Sequence, residues 1–473
     1  MANTWATFGI DLHLDLSGRG RAGLETVLRD AVRTGRLAPG TRLPSSRVLA
    51  ADLGVARNTV AEAYGQLVAE GWLTAARGSS TRVAGRAAVP PDEPPAAAEP
   101  PRTLRYDLRP GSPDVSGFPR SAWLAAARRA LLAAPSEAFG YGDPRGHPEL
   151  RHALADYLSR ARGVRASADR IVVCSGYAQG LALVCQVLRA RGAATLAAEA
   201  YSLPGHRAAV RAAGLKLTLM PVDAHGAAVH EAAGADAILC TPAHQFPLGA
   251  ALAPQRRTRA VEWARESGGV VIEDDYDGEF RYDRQPVGAV QALAPEHVIY
   301  AGSASKSLAP AFRLGWLVLP AHLAGEVAAA KELADGQGAR LDQLVLAEFI
   351  SSGGYDRHVR RSRLAYRRRR DHLVAALRRE VPRVSVTGIA AGLHAVCELP
   401  PGLSEPDAVA RAAAHAVAVG KLGAYCATGR HDRAALVIGY GTPPEHAFSG
   451  AVARLCAALR EPAGRRQPSS GAT

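Results

Sequence analysis

The stretch VVIEDDYDGEFRYDRQPVGAVQALAPEHVIYAGSASK, residues 270–306, decides how most of the chain folds. It opens on a continuous apolar run that ends in Glu273, Asp274, Asp275, Tyr276 and Asp277. A second run, VIYAG (298–302), ends in Ser303, Ala304, Ser305 and Lys306. Apolar residues on successive rather than alternate positions suit a strand buried on both faces. Similar runs stand at IVVC (171–174), LKLTLM (215–220) and AILC (237–240), separated by helix-length segments rich in Ala, Leu and Arg. This alternation predicts an α/β body with a mostly parallel sheet. After about residue 325 the pattern turns helical, then gives shorter runs at VSV (384–386), LHAVCEL (393–399) and ALVIGY (435–440). That predicts a smaller C-terminal α+β subdomain.

Ligands of open α/β sheets sit outside the carboxyl ends of the strands. Three such ends carry polar clusters here: Ser175-Gly176-Tyr177-Ala178, Asp274 to Asp277, and Ser303 to Lys306 with Arg313 seven residues on. Each residue alone has a plainer reading, Lys306 as a solvated amine and Asp274 as a turn cap. Together they match the needs of pyridoxal 5'-phosphate (PLP). Its aldehyde takes a lysine amine as a Schiff base, its ring nitrogen a carboxylate, and its phosphate several donors and a cation. The chain has four lysines, at 216, 306, 331 and 421, and Lys306 alone stands in a serine-rich strand end.

A different pattern precedes this body. Leu24, Val27, Leu28, Ala31 and Val32 recur on one helical face, and a turn follows at 38–44. Ser45 or Ser46 caps a second helix that stops at Gly54. A third runs from about Ala56 to Glu70 with Val60, Tyr64, Leu67 and Val68 inward, before a short hairpin with its tip at 77–80. Helix, turn, helix and hairpin describe a winged helix-turn-helix over residues 1–84. Arg47, Arg57, Asn58 and Thr59 fall at the helix starts, where donors reach phosphates and base edges of double-stranded DNA. Arg77 and Arg82 fall on the wing. With ten Arg against seven Asp plus Glu in residues 1–84, placement argues for DNA more than charge does. Residues 85–105 carry six prolines between Pro90 and Pro101 and read as a semi-stiff spacer.

Composition sets the outer bounds. The 473 residues are 48% hydrophobic and 21% charged, which excludes a wholly disordered chain. No apolar stretch is long enough to cross a bilayer, and residues 1–10 lack the pattern of a secretory leader. Six cysteines without CxxC spacing fit a reducing compartment and argue against a zinc module, so a cytoplasmic protein with no structural metal is expected. The net charge of +13 favours an anionic partner.

The segment PGTRLPSSRVLAADLGVARNTVAEAYGQLVAEGWL (39–73) resembles the DNA-binding domain of GntR-type bacterial regulators. The segments FGYGDPRGHPELRHALADYL (139–158), CSGYAQG (174–180), TPAHQFPLG (241–249), IEDDYDGEFRY (272–282) and SASKSLAPAFRLGW (303–316) resemble fold-type I aminotransferases. Taken together, nearly the whole chain resembles the MocR subfamily of GntR regulators, which joins the two domains. The resemblance implies an aminotransferase-like domain over 106–462 and a tail at 463–473. It implies that Lys306 holds the cofactor, Asp274 (or Asp275) faces the ring nitrogen, and Tyr276 faces the phenolic oxygen. Tyr201 would stack on the ring, with His244 and Gln245 near its edge. Ser175, Gly176, Tyr177, Ser303 and Arg313 would bind the phosphate. It further implies a homodimer, with Tyr141 reaching the partner's phosphate, and a PLP, amine or amino-acid effector.

The chain departs from the family in the final strand. Many aminotransferases place an arginine there for the substrate carboxylate, but the position holds Val437, leaving Arg433 or Arg430 as replacements. A PLP-dependent DNA-binding transcriptional regulator is the expected function, with an active aminotransferase as the rival. The run RHVRRSRLAYRRRR (357–370) is either a second DNA contact or a solvated helix with Val359, Leu364 and Tyr366 partly inward.

Overall fold

The computed structural model describes residues 20–75, 80–85, 104–282, 288–429 and 432–460. The chain divides after Arg102 into two compact units. The first contains α1 (Arg21–Arg33), α2 (Ser46–Leu53), α3 (Arg57–Ala69), β1 (Leu73–Thr74) and β2 (Arg82–Val83). Ser45 caps α2 by accepting from the Val48 N–H at 3.4 Å, a contact worth about 1 kcal/mol. Gly54 ends the helix at φ 66°, a left-handed conformation that glycine adopts without strain. Leu24, Leu28, Ala31 and Val32 pack with Leu49, Val60, Tyr64 and Leu67 in one apolar core. Val27 is half-buried. The strands pair antiparallel, Leu73 opposite Val83, and Arg42 bridges to Arg82 beside them. Arg77 at the wing tip lies outside the described residues, as do 86–103 of the spacer and the tail.

The second unit begins with β3 (Tyr106–Leu108), α4 (Arg120–Ala133) and α5 (Pro148–Arg162). It continues through β4 (Ile171–Cys174), α6 (Tyr177–Ala190), β5 (Thr195–Glu199), α7 (Pro204–Ala212) and β6 (Lys216–Met220). A two-residue pair, β7 (Val222–Asp223) and β8 (Gly226–Ala227), precedes β9 (Ala237–Cys240), α8 (Pro254–Ser267), β10 (Val270–Asp274), β11 (Val298–Ser303) and β12 (Gly315–Val318). Seven strands form one sheet in the order β4-β12-β11-β10-β9-β5-β6. All neighbours run parallel except β12, which is antiparallel to both β11 and β4. Every residue of β4, β9, β10, β11 and β12 is buried, because helices cover both faces. Strands β5 and β12 were not expected from the sequence.

The chain then forms α9 (Ala321–Asp335), α10 (Arg340–Ser351), α11 (Gly354–Glu380), β13 (Ser385–Thr387), β14 (Ala395–Glu398), α12 (Glu405–Ala414), β15 (Val417–Lys421), β16 (Ala435–Ile438) and α13 (Glu445–Arg460). A second sheet has the order β13-β14-β16-β15-β3. Its edge strand β3 comes from the start of the unit and pairs parallel to β15. The C-terminal subdomain is therefore completed by residues some three hundred positions upstream.

The Arg-rich run lies in α11. Val359 and Tyr366 are buried as expected, but Leu364 is 52% exposed, a correction to its inward placement. It shares a solvent face with Arg360, Arg361, Arg367 and Arg368. Arg369 alone of the run's arginines turns fully inward. It donates to Asp114 Oδ2 at 2.7 Å, Glu445 Oε2 at 2.7 Å and the Pro443 carbonyl at 2.7 Å. One arginine thus ties the first residues of the unit to its last helix.

Candidate functional site

The carboxyl ends of the central strands open onto one cavity, and Lys306, Asp274, Tyr276, Tyr177, Ser303 and Arg313 line it together. Strand β10 delivers Asp274 as its last residue, and β11 delivers Ser303 and the loop to Lys306. Gly176, at φ 79°, turns the chain from β4 into α6; a Cβ there would meet the Arg313 guanidinium at 3.1 Å. Arg313 donates to the Ser175 carbonyl at 2.7 Å. A cation beside the first residues of a helix, with Ser303 and Ser305 alongside, is an arrangement that could hold an anion.

The other end is electrostatically loaded. Asp274 is buried, its Oδ1 has no hydrogen-bond partner among the described residues, and His206 Nδ1 lies 4.0 Å from Oδ2. Burial raises its pKa well above the usual carboxylate range. Asp275, Asp277 and Glu199 push the same way, and Lys306 opposes them. Tyr177 has the only other orphaned oxygen among the described residues lining this cavity; burial and the nearby Asp274 raise its phenol. Lys306 Nζ donates to the Gly111 carbonyl at 2.6 Å. Burial pulls its pKa down while Asp274 and Asp277 hold it up, which leaves a more nucleophilic amine than a surface lysine.

The two adjacent aspartates have separate surroundings. Asp275 accepts from Arg162 at 2.7 and 3.1 Å and from the Tyr300 hydroxyl at 2.7 Å, away from the cavity. Asp274 alone of the two lines it. Tyr276 Oη lies 3.1 Å from His244 Nδ1, and that nitrogen lies 2.8 Å from Asp277 Oδ2. His244, Asp277 and His394 offer ligand atoms within 4.8 Å of one another. His244 is held by Asp277, however, and His394 Nε2 donates to the Pro247 carbonyl at 2.9 Å, so hydrogen bonds account for the cluster.

Of the expected site residues, Ser175 and Gly176, which form the turn before α6, and His244, Gln245, Tyr201 and Tyr141 are not among those that line the cavity. Gln245 is 1% exposed, and its amide is committed to Glu199, the Tyr201 and Phe246 carbonyls and the Leu248 N–H. Tyr201 bridges to Cys426 and packs against the apolar cluster of Leu248, Leu422 and Val437. Tyr141 is 97% exposed. In the cavity stand residues that no spacing signalled: His206, Thr241, Phe246, His394, Pro110 and Gly111. Burial lowers His206 to about 4 and His394 to about 3, so both rings are neutral near pH 7. Glu199, raised to about 7 by burial, clamps Thr241 through its N–H and hydroxyl. Val437 is fully buried among apolar side chains, Arg433 pairs with Glu398, and Arg430 lies outside the described residues.

In the first unit, Arg57 and Asn58 begin α3 and are exposed; Thr59 is half-buried and Arg47, on α2, is exposed. Arg82 is exposed and donates to the Gly40 carbonyl at 2.9 Å, which fixes the base of the wing.

Residues 22–83 match the family of bacterial regulatory proteins of the gntR type, and residues 111–430 match the class I and II aminotransferases. Among relatives, the chain is 33% identical to the pyridoxine biosynthesis transcriptional regulator PdxR of Corynebacterium glutamicum, over 83% of this chain and 87% of that protein. It is 33% identical to the probable rhizopine catabolism regulatory protein MocR of Rhizobium meliloti, over 75% and 76% of the two chains. A kynurenine aminotransferase of Pyrococcus horikoshii, solved with PMP, superposes with a TM-score of 0.68 at 25% identity, covering 76% of this chain and 91% of that one. LysN of Thermus thermophilus, an α-aminoadipate aminotransferase, gives 0.67 at 26% identity over 76% and 92%. The two halves match different families and the relatives span both, so the chain belongs to the MocR-type regulators, in which a GntR winged helix is joined to a fold-type I aminotransferase domain.

Proposed function

We propose that this chain is a transcriptional regulator of the cytoplasm that reads operator DNA with its first unit and binds PLP in the cavity of its second. The observation that carries the cofactor is Asp274 Oδ1, a buried carboxylate oxygen with no partner in the same cavity as a lysine and an arginine. A protonated ring nitrogen would satisfy that oxygen, which has no hydrogen-bond partner among the described residues. On this reading Arg313, Ser303 and the start of α6 take the phosphate, Tyr276 the phenolic oxygen and Lys306 the aldehyde carbon. Ser175 and Gly176 shape the turn that positions Arg313. When bound, the cofactor supplies an aldehyde that condenses with primary amines and a ring that withdraws electrons. The effector is PLP itself, or an amine or amino acid that competes with Lys306, and it acts by favouring one arrangement of the DNA-binding units over another.

A homodimer is supported by a run of exposed apolar side chains. Leu124 and Leu132 on α4, Phe139, Tyr141, Leu333 and Leu341 are all open to solvent. Gly142 bonds to Gln337 and Gly140 to Arg340, which keeps these segments adjacent. Exposed apolar side chains on adjacent segments suit an interaction site; Tyr141 is among them, and on this reading it serves a partner's phosphate.

The experiment is a titration of the full chain with PLP, followed by visible absorption and by binding to operator DNA. Absorption that saturates at one PLP per chain and alters DNA affinity is expected; a colourless protein overturns the reading. The rival, an active aminotransferase, is favoured by the presence of Lys306, Asp274 and Tyr276 in one cavity, and is weakened by the apolar surroundings of Val437. Incubation with an amino donor and a keto acid decides it, because sustained turnover belongs to the enzyme alone. Arg57→Ala is expected to weaken operator binding by about 1–3 kcal/mol or to flatten the salt dependence by about one counterion, according to whether it contacts a base or a phosphate. PLP absorption should be unchanged in that variant.

A further inference from the structure

The loop that carries Lys306 is held from behind by α11. Tyr355 donates its hydroxyl to Ser307 Oγ at 2.7 Å, and His358 Nε2 lies 2.7 Å from the Ser307 carbonyl. That carbonyl only accepts, so Nε2 carries the proton and Nδ1 is left facing Arg361 at 3.5 Å. Burial lowers the His358 pKa, in keeping with a neutral ring. Tyr355, His358 and Ser307 are all buried, at 1%, 7% and 3% exposure. One residue beyond the lysine, both the backbone and the side chain are therefore fixed by a single helix. The same helix reaches the loop that follows Asp274 and Tyr276: Arg363 Nε donates to the Glu279 carbonyl at 2.7 Å. Tyr355 Oη also lies 3.4 Å from Glu279 Oε1, a weaker contact than the one to Ser307.

None of these groups lines the cavity. We infer that Tyr355 and His358 are positioning residues, which act through Ser307 to set the reach of Lys306 Nζ. The inference rests on the PLP reading given above. Condensation forms a bond between Nζ and the aldehyde carbon and releases the carbonyl oxygen as one water, with no change of oxidation state. It needs the amine within about 3–3.5 Å of that carbon, and an error of about 1 Å is costly. The phosphate corner and Asp274 bind the rest of the cofactor and do not depend on where Nζ points.

The two contributions separate with two ligands. PLP uses the aldehyde, whereas pyridoxamine 5'-phosphate has the same ring and phosphate and cannot link to Lys306. In the full chain, Tyr355→Phe and His358→Leu should each raise the Kd for PLP by about tenfold and leave that for pyridoxamine 5'-phosphate within about twofold, as expected for loss of one buried hydrogen bond that serves only the linkage. His358→Gln, which keeps an N–H donor, should recover most of the PLP affinity. Equal losses for both ligands would mean that α11 merely supports the fold and would overturn the inference; so would unchanged PLP affinity in both variants. If the wild-type chain binds pyridoxamine 5'-phosphate but PLP never links to Lys306, the PLP reading itself fails, and the two failures are told apart.

Discussion

Lys306→Ala is expected to abolish the visible absorption that the wild-type chain gains with PLP, without a matching loss of folding stability. Four lysines are present, and the other three are unsuited to the linkage. Lys331 is fully buried and paired with Asp335, while Lys216 and Lys421 are exposed at strand ends outside the cavity. Among the described residues Lys306 bonds to the Gly111 carbonyl, so truncation removes little that the fold needs. Thermal melting of the cofactor-free variant should stay close to wild type, and DNA binding without PLP should persist. Pyridoxamine 5'-phosphate should still bind through Arg313 and Asp274. A visible band that survives the substitution would place the attachment elsewhere and end the assignment of Lys306.

Asp275→Ala and Asp274→Asn should act in opposite directions, although the residues are neighbours. Asp275 and Arg162 are 4% and 6% exposed and bonded through two contacts. Burial disfavours the Arg162 guanidinium, yet Asp275 and Tyr300 beside it raise its pKa, so the cation persists inside. Removing Asp275 leaves that charge buried and unpaired, at a cost of about 3–5 kcal/mol. Urea unfolding of the cofactor-free protein measures it. Asp274 has the reverse character, since it is itself the buried group without a partner. Its folded pKa is raised above the unfolded value, so the native state binds this proton more tightly than the unfolded chain. The associated stability is fully present below about pH 4 and is lost as the pH rises through the raised folded value. Asp274→Asn, which does not titrate, should therefore melt higher than wild type above that range when cofactor-free, and converge with it near pH 4. With PLP the order reverses, because the ring nitrogen loses its counter-charge. If Asp274→Asn proves the less stable variant without PLP at pH 8, the orphaned carboxylate is not strained as described.

Much of this protein follows from the chain alone. The winged helix is written in helical periodicity, in the Ser45 cap and in the stop at Gly54, all set by contacts within a few residues. The strand ends that carry Asp274, Ser303 and Lys306 are legible because an apolar run stopping in polar residues marks where a buried strand reaches solvent. What the chain alone leaves open is phase and distance. A strand buried on both faces shows no alternation, so its sequence does not say which of Asp274 and Asp275 faces the cavity. Only the packing of α5, which brings Arg162 to Asp275, separates them. The same holds for Gln245, taken up by Glu199, and for Tyr201, drawn to Cys426. The pairing of β3 with β15, the arrival of His206 and His394 at the cavity, and the grip of α11 on Ser307 join residues far apart in the chain. Local patterns fix which residues end a strand, because only neighbours are involved. Which side chains then meet is decided by the tertiary fold, since burial rewards any apolar neighbour and only the assembled layers choose among them.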